Sequence, residues 1–245
     1  VLQADETPLQ VIKEDKAKCY MWLYCTGTDS PSDHAMLNIV LYDYQPSRAG
    51  ACPVNYLADY QGYLQVDGYA AYEQTQATLA GCWAHVRRKF KEVVDSLPKH
   101  KKGKGGKAHW ALSHIQKLYA IEQRIKTKTT AEKQQIRQQK AKPLLAQFKA
   151  WLDKSLHQVP PQTALGKALA YCLNQWSKLV IYLEHGDINI DNNRAERAIK
   201  PFVIGRKNWL FANTASGANA SAILYSLIET AKANGLTTFD YLHHV

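Results

Sequence analysis

The sequence predicts an α/β protein in which a mixed sheet is split by a basic, all-helical insertion and then closed by further helices. Three observations carry that expectation. Aromatic and apolar strand formers fill residues 20–26 and 37–42, with shorter runs at 64–66 and 78–82. Leu165, Leu169, Cys172, Trp176, Leu179 and Leu183 form a stripe at helical spacing. Charge is concentrated between residues 99 and 155, where 15 Lys and Arg face only Glu122, Glu132 and Asp153, in a chain whose formal charge is +10.

Taken in order, the strands at 20–26, 37–42 and 64–66 alternate with helix candidates at 53–60 and 69–74, and 78–82 gives one more strand. From 84 to 96 the pattern turns helical and basic, with Val86, Phe90, Val93 and Leu97 on one stripe. The run Lys99-His100-Lys101-Lys102-Gly103-Lys104-Gly105-Gly106-Lys107 cannot form a packed element and predicts a mobile loop at the entry to the insertion. Beyond it, Leu112, Ile115, Tyr119 and residues 122–125 fit one helix, and Pro143 opens a second with Leu145, Phe148 and Leu152. The stripe named above makes the third, which Gly186-Asp187 ends. Residues 188–190 form an extended link, Asp191 is a suitable N-cap for the helix carrying Glu196, and an aromatic-basic stretch from Ile204 to Phe211 precedes a last helix over about 216–234. The expected organisation is a core over 1–98 and 187–245 with the insertion at 99–186.

With 245 residues, 46% of them hydrophobic, the chain can bury a full core. No apolar run approaches the roughly 20 residues of a membrane span, and no charged-then-apolar leader opens the sequence, so the default expectation is a cytoplasmic protein. Cys19, Cys25, Cys52, Cys82 and Cys172 are odd in number and include no Cys-x-x-Cys pair, which predicts reduced core residues. The positive charge, with a pI near 9.3, calls for a polyanionic partner.

Three carboxylates carry the chemistry. Asp191-Asn192-Asn193-Arg194-Ala195-Glu196-Arg197 places Glu196 at a capped helix start beside Arg194, Arg197 and Lys200, a suitable place for a metal and a phosphate. Asp5, in Ala4-Asp5-Glu6-Thr7, and Asp67, in Val66-Asp67-Gly68-Tyr69, stand at predicted strand edges upstream. Mg²⁺ takes oxygen ligands and keeps several waters, so two or three carboxylates suffice, and two ions about 4 Å apart can drive phosphodiester chemistry. Each residue also has an ordinary role open to it. Glu6 rivals Asp5, although strand alternation sends the two to opposite faces. Asp67-Gly68 is a common turn dipeptide, and Glu196 with Lys200 makes a simple i,i+4 pair.

Other residues have contacts with DNA as an expectation. His85, Arg87 and Arg88 begin a helix, while Cys82 and Trp83 are expected to end a core strand; Cys82 and His85 alone are half a zinc site without two further ligands. Arg206 and Lys207 beside Trp209 could track a backbone and stack a base, although a Trp in a strand next to Phe211 is more often core. Lys101, Lys102, Lys104 and Lys107 are expected to supply nonspecific affinity for DNA.

Four segments together resemble the catalytic region of the insertion-sequence family 66 transposases: Asp5-Glu6-Thr7, Val66-Asp67-Gly68-Tyr69-x-x-Tyr72, Gly81-Cys82-Trp83-Ala84-His85-x-Arg87-Arg88-Lys89-Phe90, and Asp191-Asn192-Asn193-x-x-Glu196-Arg197. Leu227-Ile228-Glu229-Thr230-Ala231-Lys232-Ala233-Asn234-Gly235 is similar to that family's C-terminal segment, so the likeness spans nearly the whole chain, more loosely over 99–190. The resemblance implies a ribonuclease-H-like fold and a DDE mechanism in which Asp5, Asp67 and Glu196 hold two Mg²⁺ or Mn²⁺ ions. It implies water-driven exposure of a 3′-hydroxyl at the element end, attack of that hydroxyl on target DNA, and no covalent protein intermediate. Double-stranded DNA, as element ends and target, would be the partner, with a homo-oligomer assembled on it near the bacterial nucleoid and no membrane. Family members carry N-terminal segments that bind DNA ends, one of them zinc-binding; with Asp5 four residues from its start, this chain is expected to be the catalytic region alone. Two alternatives stay open: a nuclease that only hydrolyses with the same carboxylates, and a DNA-binding remnant without catalysis.

Overall fold

A computed structural model describes residues 1–16, 18–27, 38–98 and 105–244. The chain divides into two compact units, one holding the segments up to Leu79 and from Asn192 onward, the other Ala80–Asp191.

The first unit is built on a mixed sheet. Strands β1 (Leu2–Leu9), β2 (Cys19–Thr26), β3 (Val40–Gln45), β4 (Tyr63–Gln65) and β5 (Thr78–Ala80) lie in the order β3-β2-β1-β4-β5. β1, β2 and β3 run antiparallel, and β4 runs parallel to β1. Alternation along β2 makes both faces apolar. Cys19, Met21, Leu23 and Cys25 pack with Ala195, Ile199 and Phe202 of α8 (Asn193–Trp209) and Ala218 and Ala222 of α9 (Ala215–Ala233). Trp22 and Tyr24 point the other way, onto Cys52 and Leu57 of α1 (Ala51–Leu57) and onto Ala71 and Tyr72 of a 3-10 turn at Ala70–Gln74.

β3 is an edge strand, and α9 covers its open backbone. Tyr42 N–H donates to Ser226 Oγ (2.8 Å), Val40 N–H donates to Thr230 Oγ1 (3.0 Å), and Asn234 Nδ2 donates to the Asn38 carbonyl (2.7 Å). The C-terminal segment around Thr230 and Asn234 thus has a structural use, satisfying an edge that would otherwise pair with another chain. Gly235, at φ +71°, ends this helix in the left-handed region that glycine tolerates best. A short helix, α10 (Thr238–His244), follows.

The second unit is helical: α2 (Trp83–Asp95), α3 (Lys107–Arg124), α4 (Thr130–Ile136), α5 (Lys142–Leu156), α6 (Ala164–Asn174) and α7 (Trp176–Leu179). Phe148 lies at its centre, edge-on to Trp83 and stacked on Trp176. All five cysteines are buried and free, as expected. Among the described residues, no helix is long and apolar enough to cross a membrane.

Several local expectations are corrected. Trp83 starts α2 instead of ending a strand, and its indole N–H donates to the Leu179 carbonyl (3.0 Å). That carbonyl is available because the predicted third helix breaks at Gln175 and at Val180 into α6, α7 and a 3-10 turn. The carbonyl of Lys178 likewise takes Gly81 N–H (2.9 Å), an approach so close that a Cβ at Gly81 would lie 3.2 Å from Leu179 N. Pro143 stands in the first turn of α5 as expected, but that helix is continuous with α4 through a π turn at Arg137–Ala141, whose widened turn accommodates the missing N–H. Helix α4 starts instead at a capping box between Thr129 and Glu132. Lys107 is not loop but the first residue of α3, its ammonium donating to Ser155 Oγ and Gln158 Oε1. Asp191 is not the cap of α8, because its carboxylate accepts the Tyr119 hydroxyl (2.8 Å); Asn192 holds the cap position. Finally, α8 continues through Pro201 to Trp209, so residues 204–209 are helix, and Trp209 and Phe211 are 36% and 43% exposed, not core. Leu210, at φ +65°, stops that helix.

Candidate active site

On β1, Leu2, Ala4, Glu6 and Pro8 alternate with Gln3, Asp5, Thr7 and Leu9. Ala4 belongs to the core on the α1 side, and Leu9 to the core under α8 and α9, so Asp5 and Glu6 face opposite layers. Asp5 stands opposite Leu23 and Glu6 opposite Trp22 across the antiparallel pair, which assigns the same two faces.

Glu6 is fixed on the α1 side. It accepts from Arg48 through Nε (3.0 Å) and, at shorter range, Nη2, and from the Tyr72 hydroxyl (2.7 Å). The Arg48 guanidinium in turn lies 3.7 Å from the centre of the Tyr69 ring. Burial pushes the Glu6 carboxyl upward, with Arg48 and Tyr72 opposing it. The two tyrosines of the Asp67-Gly68-Tyr69-x-x-Tyr72 segment therefore serve to hold the acid beside Asp5.

Asp5 looks toward α8. The face it shares is unusually polar for a buried surface: Gln3 and Gln65 are side by side in the β1/β4 register and fully buried, and Thr7 is 7% exposed. That register pairs Leu2 with Leu64 and Gln3 with Gln65, and Asp67 follows two residues beyond the end of β4, near enough for its charge to act on Asp5. Asp67 Oδ1 accepts the Tyr69 N–H (2.8 Å), so Asp67 makes the turn that its dipeptide with Gly68 predicts. Glu196 sits in the first turn of α8, half-buried, next to Ala195 and Ile199, which seat the helix on the sheet. The helix start is tied to β1 by Asn192 Nδ2, which donates to the Ala4 carbonyl (2.8 Å).

Electrostatics links the three acids. The Asp5 carboxyl is raised from 3.8 to about 7, first by burial, then by the Glu6 charge, and further by Asp67 and Glu196. Among the described residues the three do not form a set whose ligand atoms all lie within 4.8 Å of one another. A single ion bound by all three would demand that, whereas a site for two ions would not. The donors are all hard, acceptor-only oxygens, and a divalent cation would relieve the like-charge repulsion that lifts Asp5, so the residues fit Mg²⁺ or Mn²⁺.

The cations divide into two groups. Arg194 donates to the Thr26 carbonyl (2.7 Å) and Asn38 Oδ1 (2.8 Å), and Arg206 donates to Thr7 Oγ1 (2.9 Å) and the Pro8 carbonyl, so both arginines anchor α8 to the sheet. Arg197, Lys200 and Lys207 are exposed. Arg194 and Arg197 line a cavity of about 260 Å³ with Lys232 and Glu229. In the second unit His85 is half-buried while Arg87 and Arg88 are exposed on α2. Lys101, Lys102 and Lys104 lie outside the described residues. Sequence reasoning missed the Arg48, Tyr72 and Asn192 contacts; only the doubled Asn192-Asn193 beside Asp191 hinted at the last.

The chain thus combines an α/β unit holding three electrostatically coupled acids with a helical unit rich in cations. Comparison with known proteins gives the family. The model of the transposase IS66 family matches residues 1–220, and the chain belongs to that family. It is 33% identical over 254 residues to the uncharacterized protein y4qI of Sinorhizobium fredii (strain NBRC 101917 / NGR234), covering 98% of this chain and 46% of that protein. It is also 32% identical over 255 residues to the uncharacterized protein y4jD of the same strain, covering 99% and 48%. The chain thus spans about half the length of the curated relatives it matches. No solved structure matches it.

Proposed function

We propose that this chain is the catalytic region of a DNA transposase, cutting and joining strands by a DDE mechanism at Asp5, Asp67 and Glu196 on a ribonuclease-H-like sheet. The observation that supports the proposal is the electrostatic coupling of the three acids. Asp67 follows the end of β4, the strand beside β1, Glu196 stands on the helix whose start is tied to Ala4, and the charges of both raise the proton affinity of Asp5. The mixed sheet, with three antiparallel strands and a parallel β4, is compatible with that fold. When bound, divalent cations supply Lewis acidity for in-line displacement at phosphorus. Asp5, Asp67 and Glu196 would hold those cations through their carboxylate oxygens. Glu6 keeps its charge turned away toward Arg48, adding repulsion that a cation would offset.

Duplex DNA is the proposed substrate, as element ends and target. Residues 80–191 carry 21 Lys and Arg against eight Asp and Glu, which supports a DNA-contacting role for the insertion. Phosphate contacts are proposed for His85, Arg87, Arg88, Lys101, Lys102, Lys104, Lys107, Arg197, Lys200 and Lys207. Arg194 and Arg206 would act by setting the position of α8. Assembly of copies on paired ends follows from the family resemblance.

The test uses labelled DNA carrying element ends, with Mg²⁺ or Mn²⁺, scored for both nicks and joined products. Asp67→Asn and Glu196→Gln should each abolish cleavage and leave DNA affinity unchanged or higher, since removing a carboxylate relieves repulsion of phosphate. Full activity in either variant removes that residue from the ligand set. Nicks with no joined product under any condition would favour the purely hydrolytic enzyme.

A further inference from the structure

The second unit contains an aromatic pocket that the carboxylate chemistry does not use. Gly105, Gly106, Lys107, His109, Trp110 and Trp151 line a cavity of about 510 Å³ at the start of α3. Trp110 is the middle of a three-ring stack: His114 lies 3.7 Å away at 20° between planes, and Trp151 lies 4.3 Å away at 22°. Two rings so close and so nearly parallel to Trp110 would overlap if they shared one of its faces, so they occupy opposite faces. The stack is braced from the side by Phe148, edge-on to Trp151 at 5.3 Å. Its rings are therefore held in place, and a planar ligand meeting them would lose little of the protein's side-chain entropy.

The glycines keep the cavity open. Among the described residues, a Cβ built at either Gly105 or Gly106 meets nothing within 4 Å. Lys107, on the rim, is held by two neutral groups, Ser155 Oγ and Gln158 Oε1, so no carboxylate cancels its charge there. The N-terminus of the 18-residue helix α3 adds a further positive end. A 510 Å³ space takes a planar heterocycle, and the excess of cations across residues 80–191 calls for that heterocycle to be attached to a polyanion.

We propose that this pocket binds an unpaired nucleobase of single-stranded DNA, stacked on the face of Trp151 turned away from Trp110, with its phosphate toward Lys107 and the start of α3. Every base has an aromatic face, so the site would be tolerant of sequence and would select unpaired strand over duplex, whose bases are already stacked. The proposal takes DNA as the partner, as above, but uses none of the carboxylate residues.

The experiment measures binding of the full chain, without divalent metal, to fluorescent oligothymidylate of about 16 nucleotides and to an abasic oligonucleotide of equal length and charge. Oligothymidylate should bind roughly 5- to 100-fold tighter, and Trp151→Ala should close that gap while leaving abasic and duplex affinity within about twofold. Trp151→Phe, which keeps a smaller ring, should retain part of the gap, and it carries the test if Trp151→Ala does not fold. Equal affinity for the two oligonucleotides overturns the proposal, as does a gap that survives in both variants. Self-association that Trp151→Ala abolishes, with no gap between oligonucleotides, would assign the pocket to a second copy of the chain and overturn it equally. Asp67→Asn should keep the gap unchanged, so loss of cleavage and loss of base stacking are read separately.

Discussion

Asn192 and Ala4, 188 positions apart, are joined by one hydrogen bond from a buried side-chain amide to a strand carbonyl. The donor precedes Glu196 by one helical turn and the acceptor precedes Asp5 by one residue, so this contact sets the distance between two of the three acids. Its removal gives the first prediction.

Asn192→Ala should lower stability by about 1–2 kcal/mol, because the Ala4 carbonyl loses a buried donor. It should also reduce the thermal stabilisation conferred by Mn²⁺, since Glu196 is no longer held in register with Asp5. Calorimetry with and without the ion checks both. An unchanged Mn²⁺ response would show that α8 is positioned without this contact.

Asp5 makes metal-free stability depend on pH. Its folded pKa of about 7 exceeds the ordinary 3.8, so the folded protein holds the proton more tightly than the unfolded chain. The contribution is full below about pH 4 and is lost as pH rises through about 7. Asp5→Asn should therefore be more stable than the parent at pH 8, by roughly 2–4 kcal/mol, and close to it at pH 4. Urea melts at the two pH values measure this. Mg²⁺ should recover stability in the parent at pH 8, and not in the variant.

In the second unit Arg137, 2% exposed, pairs with both oxygens of Glu122 (3.0 and 2.7 Å) and donates to the carbonyls of Tyr182, His185 and Gly186. Arg137→Met should cost about 3–5 kcal/mol, since a half-screened acid and three carbonyls lose their partner. Replacing Glu122 as well, by Gln, should restore part of the loss. Additive losses in the double variant would mean that the arginine acts through the carbonyls alone.

Binding of duplex DNA should weaken steeply with salt. Neutralising Lys101, Lys102 and Lys104 to Gln should reduce the slope of log K against log salt by as much as about 0.9 for each lysine that meets a phosphate. A slope identical to the parent's would remove this segment from the interface. Fluorescence anisotropy across a salt series reads it directly.

Much of this was legible in the sequence because period and residue chemistry act locally. The strand runs around Trp22 and Tyr42, the stripe of Val86, Phe90 and Val93, the buried thiols and the separate faces of Asp5 and Glu6 all follow from spacing alone. The motifs also named the acids, since only oxygen-rich side chains at strand ends and a helix start suit a hard cation. The misplaced boundaries share a cause. Trp83, Asp191 and the Gln175 break depend on partners distant in sequence: Leu179, Tyr119 and Gly81.

The sequence by itself determined the α/β class, the family, the basic insertion and the three acids as candidates, because composition, periodicity and motif spacing reside in neighbouring residues. Only the tertiary structure decided that the Asp67 and Glu196 charges act on Asp5, that Glu6 is turned toward Arg48, that Arg194 and Arg206 anchor a helix, and that Trp110 and Trp151 line an open pocket. Those facts rest on strand register and on contacts between residues tens to nearly two hundred positions apart. Closing such contacts is a property of the whole fold, and no local window of the chain contains it.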